Sequence, residues 1–290
     1  GAPLGLFSEG SCIDVCTSRA CTAAGCDALL SDLEDLCIYV SVQVTTRGCL
    51  SHCSKGPNAL LKFSTAARDS VESNLRTFDN SLALLKKLST RSELPIPADV
   101  LSQARLKSDA MRLMTPSHIS QPSHLVAEDM VKAKNLLTQA IDLQLKENAS
   151  GTSARGVAQL RGSQRLRELR MLRGMALGRT ALADYTARDE HTKRAADDFK
   201  AVIAKHDQYA PAYANLADTL SFVHDLSNAL LYYQKALDLN ALQQPGLCLS
   251  SSETERVTDQ ISNLKFRLAE QSRIRGFPAG DSGDGSGEWK

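Results

Sequence analysis

Seven of the eight cysteines in this 290-residue chain lie before residue 54; the rest of the chain holds one, Cys248. A chain so divided needs two architectures, because whatever those sulfurs do is done near the N-terminus. Four of them form two close pairs, Cys16-x4-Cys21 and Cys49-x3-Cys53, separated by 27 residues. Two such pairs on two loops can bring four thiolates together, as an iron–sulfur cluster or a structural zinc requires. Paired disulfides are the third use of four cysteines, but disulfide scaffolds are short and loop-rich throughout. With one cysteine in the remainder, the distribution favours a reducing compartment.

Composition limits the other classes. The net charge is +1, which gives no overall attraction to nucleic acid or membrane. Hydrophobic residues make up 42%, enough for ordinary cores, and the low aromatic share of 5% beside abundant Ala and Leu leans helical. The longest apolar run, Leu36 to Val44, is interrupted by Ser41 and Gln43 and is too short to span a bilayer. Gly1 in place of Met is read as the start of a processed chain whose targeting segment has been removed.

Periodicity divides the chain further. Residues 1–10 read as a lead-in. Ala28, Leu29, Leu33 and Leu36 fall at helical spacing, and Ile38 to Thr46 alternates as a strand. NALLKFS after Gly56-Pro57 and DSVESNLR are further strand candidates, and Phe78 to Leu88 is a helix. This β-α-β-β-β-α order predicts a small α/β domain over residues 11–90. Pro95 and Pro97 mark a boundary, with linker and helix over 91–124, the helix running from Pro97 to Met114. Leu125 to Leu145, Ser163 to about Arg188 and Ser252 to Arg275 read as helices, the last with a Ser252/Glu255 capping box. Glu147 to Gly156 reads as a polar loop, and residues 276–290 form a polar tail unable to pack alone.

In PAYANLADTLSFVHDLSNALLYYQKALDLN, Tyr213, Leu216, Ala217 and Leu220 share one helix face, and Ala229, Tyr233 and Ala236 another. A 34-residue shift lands on Leu182, Ala183, Ala195, Phe199 and Val202. The pattern resembles the tetratricopeptide repeat, with small residues where two helices cross and large ones between. The resemblance implies an all-α array over 125–275, closed by its last helix and offering a concave surface to protein partners.

The strings VCTSRACTAAG and GCLSHCSKGPNALL together resemble the thioredoxin-like [2Fe–2S] ferredoxin family, which includes the small ferredoxin-like subunit of respiratory complex I. Cys16, Cys21, Cys49 and Cys53 stand at the family's C-x4-C and C-x3-C-x2-GP positions, and Gly25, Gly48, Leu50, Gly56 and Pro57 also match. Ser51 departs from the glycine usual there. The resemblance covers roughly residues 12–90 and implies a thioredoxin-like fold, a [2Fe–2S] cluster held by those four cysteines, and one-electron transfer. Read from the residues alone, structural zinc on the same thiols stays open. His52 as a Rieske-type substitute ligand is a weaker alternative. Cys26 and Cys37 are expected as small buried side chains, Cys12 as an orphan thiol near the site, and Cys248 as an ordinary packing residue.

No nucleotide-binding glycine string and no nucleophile–base arrangement is present, and no Cys-x-x-Cys supports a thiol oxidoreductase. The histidines outside the cysteine region lack ligand spacing. From Arg155 to Arg179 seven arginines meet one acid, Glu168. Arg161, Arg165, Arg167, Arg170 and Arg173 are therefore candidates for docking an acidic partner or anionic head groups, against a solvated helix face. The expectation is an α/β thioredoxin-like N-terminal domain plus an all-α helical-repeat C-terminal domain. It is an electron carrier rather than an enzyme, docked on a photosynthetic or respiratory complex. The stroma of the chloroplast at the thylakoid surface is favoured, with the mitochondrial matrix next. The alternative is an accessory or assembly subunit whose metal site only stabilises it.

Overall fold

The computed structural model describes residues 11–40, 42–63, 68–89, 93–115, 123–149 and 157–276, without the side chains of 53, 123–125, 157–160 and 274–276. The N-terminal residues 1–10 and the C-terminal residues 277–290, expected as lead-in and tail, lie outside this description. The protein is mostly helical, with a small mixed sheet near its N-terminus. It divides into two compact units, Gly1–His191 and Thr192–Lys290.

The first unit opens with β1 (Cys12–Cys16), α1 (Arg19–Ala23), α2 (Cys26–Cys37) and β2 (Gln43–Arg47). A single 3-10 turn (Cys53–Lys55) leads to β3 (Ala59–Lys62), β4 (Ser70–Glu72) and α3 (Phe78–Leu88). The strand order is β2-β1-β3-β4. β1 runs parallel to β2, with Ile13 opposite Val44, and antiparallel to β3, with Val15 opposite Ala59. The β1–β2 connection is a helical crossover, as a parallel pair requires. As an inner strand, β1 buries both faces, so Ile13 and Val15 on one side and Asp14 on the other are shielded. Asp14 is held there by Lys62 at 2.7 Å, Arg47 at 3.4 Å and the Thr45 hydroxyl at 2.5 Å. Burial pushes its carboxyl up, but those partners outweigh burial and hold it well below the usual range.

α2 starts after Gly25, whose φ of 94° lies in the left-handed region that glycine adopts freely. Leu29, Leu33 and Leu36 then bury one stripe. α3 is set by a reciprocal cap: Thr77 Oγ1 accepts from the Asn80 N–H at 3.3 Å, and Asn80 Oδ1 accepts from the Thr77 N–H at 2.9 Å. The strand expected from Ile38 starts only at Gln43, because Tyr39 and Val40 still donate to the Leu36 and Cys37 carbonyls of the preceding helical turn.

α4 (Ala98–Met114), α5 (Ser123–Ala149) and α6 (Val157–Ala183) complete the unit. Ala110, Met130, Ala133, Leu137, Ala140, Leu166 and Leu169 form their common core. The boundary expected at Pro95 and Pro97 lies inside this unit, since Ile96, Val100 and Ala104 are buried with the sheet and α2. Polar ties run across the same seam. The ammonium of buried Lys107 pairs with Asp35 at 3.0 Å and Glu168 at 2.7 Å, joining α2, α4 and α6. Asp32 accepts from Ser81 Oγ at 2.8 Å and from Arg112 Nη2 at 2.9 Å. The polar loop expected over 147–156 is helical as far as Ala149; residues 150–156 lie outside the described ones.

In the second unit α7 (Arg188–Ile203) is followed by α8 (Ala210–Phe222), α9 (Leu226–Ala241) and α10 (Ser251–Gly276). α8 and α9 form a hairpin with Ala214, Ala217, Ala229 and Ala236 buried together with Tyr213 and Tyr233, and Val257, Ile261 and Leu264 of α10 cover it. Small residues let the two backbones approach and the tyrosines fill the remaining space. Upstream, Ala195, Phe199 and Val202 are buried as the 34-residue shift predicts, but Leu182 is 71% exposed. The α10 capping box uses Ser250 and Glu253, not Ser252 and Glu255. Consecutive serines offer both registers, and the helix takes the earlier one. None of the described helices is long and apolar enough to cross a membrane.

Candidate metal centre

Two loops meet at the C-terminal end of β1. Cys16 is its last residue and Cys21 lies on α1, so the strand-to-helix turn carries the first pair. The Cys16 N–H donates to the Asn58 carbonyl at 3.0 Å and the Thr17 N–H to the Arg47 carbonyl at 2.8 Å, tying this turn to the segments that flank the second pair. Cys16 and Cys21 are fully buried and their thiols are within hydrogen-bonding reach of one another.

The electrostatics of the pair are asymmetric. Burial pushes the Cys16 thiol up, but its contacts with Ser18 (Sγ donating to the hydroxyl at 3.4 Å), with the Leu50 backbone and with Cys21 outweigh it and leave Cys16 below its ordinary value. Burial and the same Cys16 contact raise Cys21. Leu50 belongs to the second cysteine loop, so that loop's backbone contributes to lowering a thiol of the first. Contacts of this kind stabilise thiolates and tune any metal they hold.

Asn58 is a site residue not singled out by motif reading. It is fully buried, and its Nδ2 donates to Cys21 Sγ at 3.5 Å and to the His52 carbonyl at 2.8 Å, bridging the two loops. Its place directly after Gly56-Pro57 is the only signal the sequence offered. Gly56 passes so close to Cys21 that a Cβ there would lie 3.0 Å from the sulfur.

Of the second pair, Cys49 is exposed and its sulfur accepts from the Ser51 N–H at 3.3 Å. The Cys53 side chain lies outside the described residues. Ser51, the departure from the family glycine, has φ 61°, which supplies the physical reason for a glycine there. His52 is exposed, with Nδ1 2.8 Å from the Leu50 carbonyl. Among the described residues no three His, Cys, Asp or Glu side chains stand together around one point. The structure thus gathers Cys16 and Cys21 and leaves Cys49 apart from them. The gathered half suits thiolate-bound iron or zinc: two soft donors, the Asn58 amide donating to Cys21 Sγ, and a glycine where a side chain would intrude.

The other cysteines sit apart in chemistry. Burial pushes Cys26 to about 11 and Cys37 to about 12, so both are inert thiols in the core. Cys12 is half-buried, 3.2 Å from Asp14, and likewise raised, first by burial and then by that carboxylate. Cys248 donates to the Gln244 carbonyl at 2.9 Å. The seven cysteines whose side chains are described are all free thiols.

The arginines of α6 turn inward. Arg165 is buried with Nη2 3.4 Å from the Tyr39 hydroxyl, Arg173 reaches Thr138 Oγ1 at 3.5 Å, and Arg161, Arg167 and Arg170 are half-buried. Their long apolar stems cover neighbouring helix surface, which a count of charges does not reveal.

No protein-family profile and no curated protein matches this chain. A solved structure described as the Sgt2 TPR domain from Aspergillus fumigatus is similar at 19% identity, covering 69% of this chain and 97% of that one, with a TM-score of 0.37. A score that low does not establish a shared fold, so the helical-repeat description rests on the α8–α9 hairpin and its covering helix.

Proposed function

We propose that this protein is a thioredoxin-like [2Fe–2S] electron carrier, with Cys16, Cys21, Cys49 and Cys53 as ligands, that docks through tetratricopeptide-like helices onto a larger organellar complex. One observation carries the reading: two buried thiols share a turn, and the buried Asn58 side chain donates both to Cys21 Sγ at 3.5 Å and to the His52 carbonyl of the second cysteine loop at 2.8 Å. The β1-α1-α2-β2-β3-β4-α3 order, which matches the expected β-α-β-β-β-α once the five-residue α1 is set aside, supports the thioredoxin-like assignment. The buried alanines and tyrosines of α8 and α9 support the repeat assignment. When bound, the cluster supplies reversible uptake of a single electron. The residues' part is to hold it: the Asn58 amide donates to the Cys21 sulfur, Ser18 and the Leu50 backbone lower the Cys16 thiol, and Gly56 leaves room beside Cys21. A two-plus-two ligand set does not need three donors around one iron, so a gathered Cys16–Cys21 pair is half of the expected centre.

Iron and acid-labile sulfide analysis of anaerobically purified protein, with EPR after dithionite, tests this. Two irons and two sulfides per chain with a reducible EPR signal are expected, and Cys49→Ser should lose them. Colourless protein with one zinc overturns the redox reading in favour of the second one, an accessory subunit with a structural metal. That second reading draws on the exposed position of Cys49 and on the predominance of helix outside the sheet region.

A further inference from the structure

The cysteine loops themselves carry charge of one sign, with Asp14 and Asp27 flanking the first of them. Residues 15–26 and 46–63 contain Arg19, Arg47, Lys55 and Lys62 and no Asp or Glu. Arg47 and Lys62 are engaged by Asp14. Arg19 and Lys55 are exposed and have no carboxylate partner among the described residues. Arg76 joins them from the segment before α3, its Nε donating to the Gly56 carbonyl at 3.3 Å.

An open cavity of about 590 Å³ lies here, lined by Arg19, Ala20, Ala24, Ser54, Gly56 and Arg76. No acidic side chain lines it. Gly56 is in the wall, and Cys21 Sγ lies behind it within 3.0 Å of where a glycine Cβ would be. A surface that presents two guanidinium groups and a hydroxyl over one of the candidate ligands is built for an anionic group.

We infer that this cavity is the docking point of an acidic protein partner, whose Asp or Glu side chain enters between Arg19 and Arg76. Guanidinium groups match a carboxylate with paired, charge-assisted hydrogen bonds. A nucleic acid would need cations spaced along a backbone, and the cations here converge on one hollow. The inference deepens the electron-carrier reading and rests on it only for the partner's redox character.

The test uses the full chain and two probes, an acidic plant-type ferredoxin and the basic cytochrome c, with binding followed by fluorescence anisotropy. At about 0.05 M salt the acidic probe binds and the basic one does not, and at about 0.3 M salt the affinity falls about tenfold. Arg19→Glu weakens binding about tenfold at low salt, while Lys235→Glu on the exposed face of α9 leaves it unchanged. Arg76→Lys, which keeps the charge but not the paired donors, binds more weakly than wild type and more tightly than Arg19→Glu. The inference is overturned if the acidic probe does not bind, or if Arg19→Glu binds it as wild type does. It is also overturned if citrate or a short single-stranded DNA binds as tightly with the same Arg19 dependence. Iron is measured on the same samples. Iron-free protein that still needs Arg19 removes the redox reading and keeps the docking site; iron-loaded protein indifferent to Arg19 does the reverse.

Discussion

Replacing Gly56 with alanine sets two effects of opposite sign against each other. The backbone at Gly56 has φ −67° and ψ 162°, an extended conformation that alanine adopts without strain. On that ground alone the substitution would stabilise the fold by about 0.4–1 kcal/mol, by restricting the unfolded chain. The new methyl, however, meets Cys21 Sγ at 3.0 Å, Cys21 Cα at 3.4 Å and Ala24 Cβ at 3.6 Å. A contact of 3.0 Å is tighter than side chains ordinarily tolerate, so the sulfur must give by a few tenths of an ångström, with the Cys21 backbone at 3.4 Å limiting its retreat. Overpacking of this kind costs about 1–3 kcal/mol. The clash therefore wins, with a net loss of about 1–2 kcal/mol. With a urea slope of about 1–3 kcal/mol per molar, the midpoint falls by roughly 0.5–1 M. Hydrogen exchange of β1 and β3 amides in urea, on metal-free full-length protein, reads the loss where it occurs. Iron loading of the reconstituted variant should fall as well, because the displaced sulfur is a proposed ligand. A variant with a midpoint at or above wild type would refute the reasoning, since the wall of the cysteine site would then have slack.

Three further outcomes follow from the geometry. Lys107→Met leaves Asp35 and Glu168 facing each other without their cation; because Glu168 keeps 41% exposure the cost is about 3 kcal/mol, at the lower end for a broken buried pair, and adding Asp35→Asn and Glu168→Gln restores most of it in denaturant melts. Burial raises Asp32 from 3.8 to about 6 against the pull of Arg112, so the folded state holds a proton that the unfolded chain has released between those values. That contribution, up to about 3 kcal/mol, is full below the lower value and is lost as pH rises through the upper one. The stability of wild type relative to Asp32→Asn should therefore fall between about pH 4 and 7, and a constant gap in urea midpoints would count against the assignment. Ser51→Gly relieves a left-handed serine and should raise thermal stability by about 0.5–1 kcal/mol, net of glycine's own entropy, with metal content unchanged.

How far the sequence foretold these features depended on what each required. α3 was legible to the residue from its leucine spacing, and the Thr77–Asn80 cap explains why it starts where it does. The α8–α9 hairpin was legible for the same reason: alanines and tyrosines alternate in a way only a close helix crossing uses. Three consecutive serines, Ser250 to Ser252, admit two capping registers for α10, and side-chain identity does not choose between them. Residues 38–40 alternate like a strand, yet their amides are already taken by the end of α2. The cysteine spacing was plain, but the Leu50 contact is made by backbone, which no side chain announces, and Asn58 matters through where β3 begins. The α6 arginines were counted correctly as charge, and their inward direction depends on α5 and Tyr39, which the count does not contain.

Ile96, Val100 and Ala104 lie in the same buried cluster as β1, β3 and α2, and Lys107 and Arg112 neutralise carboxylates on α2. A fragment cut at residue 90, the natural choice for isolating the cysteine-bearing sheet, would bare an oily flank and strand two anions beneath it. Such a piece is expected to precipitate or swell rather than fold. The smallest autonomous unit is instead one that carries its helical buttress with it, so any transplant of this centre into another scaffold must bring α4 along.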